Sequence, residues 1–137
     1  MEAKEILALD VGGKRTGIAR ASNVARLAEP LMSVPTEQAV STLKKYLSEH
    51  EVEAMVVGLP RNLSGEDTEQ TGWIREWVDE AKPKISLPVY WQDEALTSRK
   101  AKSYELRAKS SFDEHALAAA IILQDFLDSA EADRIAA

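Results

Sequence analysis

The chain has 137 residues, 45% hydrophobic and 29% charged, with a net charge of −6 and no cysteine. These proportions fit one folded domain over residues 1–137 and exclude a disordered chain, and the missing cysteines exclude a disulfide framework, a thiolate metal site and a cysteine nucleophile. No apolar stretch approaches the roughly 20 residues of a membrane helix, and "MEAKEILALD" lacks the pattern of a signal peptide, so a soluble cytoplasmic protein with no membrane partner is expected.

The first predicted element is a strand, "EILALDVG", apolar on both alternating faces as a doubly covered central strand would be. Gly12-Gly13 signals a hairpin, "TGIARA" the antiparallel return, and "RLAEPLMSV" a third strand that Pro30 marks as an edge or a bulge. From Thr36 the period changes to helical: "TEQAVSTLKKYLSEH" places Val40, Leu43 and Leu47 on one face, with Thr36 as the expected N-cap. "EAMVVGLP" reads as a short buried strand stopped by Gly58 and Pro60, and "RNLSGEDTEQ" as a loop. A helix then runs to about Ala81, with Trp73 and Trp77 at core spacing and Pro83 as its end. "LPVYWQD" is the next strand, "TSRKAKSYELRAK" a basic helix, and "FDEHALAAAIILQDFLDSAEA" a final apolar helix.

The order is βββαβαβαα, with no internal repeat. Right-handed helical crossovers make strands one, four and five parallel, and strands two and three an antiparallel wing. Sites in such sheets lie beyond the carboxyl ends of the parallel strands, where Asp10, the Gly58-Leu59-Pro60 bend and Asp93-Glu94 fall.

Each acid has an ordinary explanation: a turn for Asp10, a polar strand end for Asp93-Glu94, a helix-dipole contact for Asp113. Strand alternation puts only one of Asp93 and Glu94 toward a site, and the sequence leaves that choice open. Taken together, carboxylates gathered without histidine or cysteine make a hard oxygen site suited to Mg²⁺ or Mn²⁺. His115 is expected on a solvent-facing helix position, and Trp91 in the core. The charges are segregated: Arg99, Lys100, Lys102, Arg107 and Lys109 face only Glu105 within residues 95–112. That stretch is either a solvated helix surface or a nucleic-acid contact.

The segments "ALDVGGKRTGIA", "VVGLPRNLSG", "DEALTS" and "FDEHALAAAIIL" are similar, in order and spacing, to the motifs of the YqgF family, also called RuvX. The resemblance covers nearly the whole chain. It implies a ribonuclease H-like α/β fold, a five-stranded mixed sheet of order 3-2-1-4-5 with strand 2 antiparallel, flanked by helices. It also implies a metal-dependent nuclease whose acids fall on Asp10, Glu94 and Asp113, as catalytic residues and ligands of Mg²⁺ or Mn²⁺. Lys14, Arg15, Gly17, Pro60 and Asn62 match the surrounding motif positions. Lys14, Arg15, Arg61, Asn62, Arg99, Lys100, Lys102, Arg107 and Lys109 are the expected nucleic-acid contacts. Two departures stand out: Ala95 replaces an arginine usual in the family, and the segment between Glu94 and Asp113 is short.

The expected substrate is structured RNA, in maturation of the 5′ end of pre-16S rRNA. The alternatives are branched DNA, as a Holliday junction resolvase, and a non-catalytic nucleic-acid-binding module. The glycine-bearing first motif also resembles the phosphate loop of sugar kinases and actin-like proteins, but those clamp nucleotide between two such domains. Monomer and homodimer both remain open.

Overall fold

The computed structural model describes residues 3–61, 68–95, 113–129 and 134–137. Its strands are β1 (Glu5–Val11), β2 (Arg15–Ser22), β3 (Glu29–Pro35), β4 (Val52–Arg61), β5 (Val89–Ala95) and β6 (Ile135–Ala136). Its helices are α1 (Ala39–Glu49), α2 (Glu69–Ile85) and α3 (Glu114–Asp128). The expected basic helix over "TSRKAKSYELRAK" lies outside the described residues.

The strands form one sheet of order β3-β2-β1-β4-β5-β6. β1 runs parallel to β4 and β4 to β5, while β2 and β3 are the antiparallel wing. The expected order is therefore correct, but the sheet has a sixth strand. Ile135 and Ala136 pair antiparallel with Trp91 and Tyr90, too few residues to carry a strand pattern of their own. β3 is the edge that Pro30 suggested, and its ladder with β2 slips there, passing over Leu31.

Strand alternation divides the core in two. Leu7, Leu9, Met55, Val57 and Trp91 face α1 and α2, packing with Leu43, Ile74 and Val78. Ile6, Ala8, Ala54 and Val56 face α3, packing with Ala119, Ile122 and Phe126. Helix α3 lies close against this second face because two strand residues there have no Cβ. A Cβ at Gly17 would overlap the main-chain oxygen of His115, and one at Gly58 would overlap the Ile122 side chain. The alanines of α3 complete the same close approach.

Several local expectations need correction. Thr36 does not cap α1: it opens a 3-10 turn over Thr36–Gln38 and its buried hydroxyl bonds to Thr16 and Gly12 instead. α2 passes through Pro83 to Ile85, since a proline two residues from a helix end removes little of the ladder, and Ser86 in the left-handed region ends it. Gly58 and Pro60 do not stop β4, which pairs with β5 as far as Arg61–Ala95. Pro60 is tolerated because the β1 ladder ends earlier, at Leu9–Val57, so no β1 partner needs its missing N–H. Trp73 is 40% exposed, because the buried stripe of α2 runs through Thr71, Ile74, Val78, Ala81 and Ile85. Trp77 does pack against the core. Among the described residues no helix is long and apolar enough to cross a membrane.

Candidate active site

The parallel strands deliver their ends to one corner of the sheet. Leu9, Val57 and Trp91 are in register and share the α1/α2 face, so Asp10 and Glu94 both fall on the α3 face. This settles the alternation left open by the sequence: Glu94 is buried at 7% exposure, whereas Asp93 is exposed. Asp10 pairs across the ladder with Gly17, the residue on which the first turn of α3 rests. Asp113 therefore arrives beside β1 from the far end of the chain.

Asp113 is the N-cap of α3. Its Oδ1 accepts from the backbone N–H groups of His115 and Ala116, at 3.1 and 3.0 Å. Its Oδ2 lies 3.8 Å from Arg15 Nε. Burial pushes the Asp113 pKa up, but the Ala116 N–H, the Ser33 hydroxyl, the His115 charge and the His115 N–H outweigh it. The carboxyl is held below its ordinary value.

His115 is not on a solvent-facing position. Its Nδ1 stands 3.6 Å from Asp10 Oδ2, and its ring reaches to within 3.7 Å of where a Gly12 Cβ would lie. The Asp10 carboxylate beside it raises the His115 pKa, burial opposes the rise, and the charges of Asp113 and Glu114 add to it. Sequence spacing missed this because a helical wheel shows which side of α3 is apolar, not where its first turn meets a neighbouring strand. The usable signal was Gly17, opposite Asp10, whose lack of a side chain admits a backbone.

Arg15 is anchored before any ligand arrives: its Nε donates to Ser33 Oγ at 3.0 Å and its Nη2 to the Ser33 carbonyl at 2.8 Å. Lys14, at the hairpin tip, is exposed. Arg61 ends β4 paired with Ala95, but its side chain lies outside the described residues, as do Asn62, Arg99, Lys100, Lys102, Arg107 and Lys109. Trp91 belongs to the core, under the Arg75 guanidinium at 5.5 Å. His50 sits at the opposite end of β1, stacked on Tyr46 and 3.0 Å from Glu5 Oε2.

The corner thus gathers three carboxylates, an imidazole and two cations. Among the described residues no three histidine or acidic side chains are close enough to share one ion. Asp10 is engaged by His115, and Asp113 by its cap and Arg15. The donors are carboxylate oxygens, which suit a hard divalent cation in chemistry.

A family model described as RuvX, Holliday junction resolvase, matches residues 4–129. A protein of Roseiflexus sp. named "Putative pre-16S rRNA nuclease" is 36% identical, over 93% of this chain and 96% of its own length. A protein of the same name from Rickettsia rickettsii is 33% identical, over 90% of this chain and 86% of its own. The structure of Thermus thermophilus RuvC in complex with Holliday junction substrate superposes with a TM-score of 0.58 at 14% identity, covering 98% of this chain and 99% of that one. At that identity the likeness shows the fold alone.

Proposed function

This chain belongs to the RuvX family, and we propose that it is a divalent-metal-dependent nuclease acting in maturation of the 5′ end of pre-16S rRNA. One observation carries the reading: β1, β5 and the N-terminus of α3 bring Asp10, Glu94 and Asp113 to the same face and the same end of the sheet. Asp10, Glu94 and Asp113 would hold Mg²⁺ or Mn²⁺ by one or two carboxylates to an ion rather than as one set of three, with water and substrate phosphate completing the donors. Such ions, when bound, supply an activated water and stabilise the leaving oxygen of a phosphodiester.

The chain's own residues divide the remaining work. Asp10 and Glu94 sit on strands rather than loops, which fixes their separation before substrate arrives. Asp113 is held by its cap, and His115 braces Asp10 from the side. Lys14 and Arg15 meet the substrate backbone beside the acids. Arg61, Asn62, Arg99, Lys100, Lys102, Arg107 and Lys109 extend that contact on this reading, and affinity then falls with salt. The reaction belongs in the cytoplasm, with ribosome assembly, and trimming one RNA end needs a single protomer.

The description carried by the family model favours a second reading, resolution of branched DNA. Two symmetric cuts would then require a two-fold dimer. One experiment separates the readings. A labelled pre-16S 5′ leader and a labelled four-way DNA junction are incubated with the protein in EDTA, Mg²⁺ or Mn²⁺, alongside Asp10→Asn. Metal-dependent cleavage of the leader, lost in the variant, is the expected result. Cleavage of the junction alone selects resolution, and cleavage that survives Asp10→Asn removes the carboxylates from the chemistry. Binding of either probe without cleavage leaves a non-catalytic module.

A further inference from the structure

The geometry points to Thr36 as the positioning residue that sets the hairpin carrying Lys14 and Arg15, an inference that rests on the nuclease reading above. Thr36 follows the edge strand β3 and is buried together with Thr16. Its hydroxyl donates to the Gly12 carbonyl at 2.6 Å. A hydroxyl has one proton, so in the 2.9 Å contact between Thr36 Oγ1 and Thr16 Oγ1 it is Thr16 that donates. The Thr36 backbone N–H donates to the Lys14 carbonyl, also at 2.9 Å. One residue therefore grips the hairpin at Gly12, Lys14 and Thr16.

The sequence gives that grip a purpose. Gly12 and Gly13 make the turn adaptable; Arg15 is already held through Ser33, but without the grip on its backbone Lys14 is ordered only when substrate binds, at a cost in affinity. Threonine is also a poor choice for packing alone, since valine fills the same volume without a hydroxyl to satisfy. Among the described residues only Thr16, Thr36, Thr71 and Glu94 are buried and polar. Three of these four hold the strand ends around the corner. Thr71 repeats the device at β4, where its hydroxyl donates to the Pro60 carbonyl at 2.6 Å. Thr36 touches no substrate itself: it acts through the hairpin.

The test uses Thr36→Val, Thr36→Ser and Thr16→Val, with thermal melts, on whichever of the leader RNA and the four-way junction the wild type prefers. Binding is read by fluorescence anisotropy in EDTA across a salt series, and KM and kcat are read with Mg²⁺. Thr36→Val is expected to raise KM about fivefold, the worth of one hydrogen bond, with kcat within about twofold. It should flatten the slope of log affinity against log salt by about 0.7–0.9, the share of one phosphate contact. Thr36→Ser should restore both. Thr16→Val should lower the melting temperature but keep wild-type KM and slope, because the Thr36–Gly12 bond survives. Wild-type KM and slope in Thr36→Val overturn the inference, as do equal shifts in Thr36→Val and Thr16→Val. If the wild type neither binds nor cleaves either probe, the nuclease reading fails and this inference falls with it.

Discussion

Gly17 of β2 lies directly under the main-chain carbonyl of His115, so that no side chain fits between the strand and the first turn of α3. This contact sets the distance between two segments that the sequence separates widely. It seats Asp113 and His115 beside Asp10.

Gly17→Ala should therefore act on both stability and activity. The obstacle is backbone, which cannot swing aside as a side-chain tip would. A loss of about 3 kcal/mol, the upper end for overpacking, is expected in urea denaturation. Cleavage should fall even at temperatures where the variant remains folded. An alanine variant with wild-type stability would show that α3 does not sit where described.

Asp113 serves two roles that one pair of substitutions separates. Asn keeps the capping oxygen, so Asp113→Asn should stay within about 0.5 kcal/mol of wild type, whereas Asp113→Ala should lose about 1 kcal/mol. Both should lower cleavage by at least about 100-fold, since both remove the charge. Chemical denaturation and initial rates check the two halves independently.

Glu94 is the buried member of the set. Gln keeps the shape of the side chain and one of its oxygens while removing the charge, so Glu94→Gln should stay folded, within about 1 kcal/mol of wild type. Its cleavage should nevertheless drop by at least about 100-fold. A large loss of rate in a variant whose melting temperature is nearly unchanged is the signature of a residue kept for chemistry.

The stability of the metal-free protein should depend on pH through His115 and Asp113. The His115 pKa is raised, chiefly by Asp10, above its ordinary 6.5. Its stabilising contribution is complete below 6.5 and is lost as pH rises through the folded value. Asp113 works the other way: its pKa is lowered from 3.8, so its contribution is lost as pH falls below that point. Urea melts from neutral to alkaline pH should show a decline in the wild type that is smaller in His115→Gln. Equal declines would remove His115 from the account.

Most of the sheet was legible because its strands are long and their alternation is regular, and the family motifs added its order. What was not legible was local or relational. β6 has two residues, fewer than a pattern needs. Thr36 looked like a cap because its type and place suit one, but the strand beneath it offered Gly12 and Thr16 as stronger partners. Glu94 was separated from Asp93 only when the ladder linked its parity to that of Asp10. His115 required knowing how far α3 slides along the sheet, and only the packing on Gly17 determines that.

The edge strand β3 carries a constraint on assembly. Pro30 and Pro35 remove two amide donors from its seven residues, and the slip at Leu31 bends what remains. Such an edge is a poor template for an incoming strand. Two copies of this chain are thus discouraged from joining their sheets across β3 into one continuous surface. A two-fold partner would have to be met elsewhere, through helices, loops or the two-residue β6 edge, so the assembly's symmetry axis falls largely to side chains rather than to a backbone ladder.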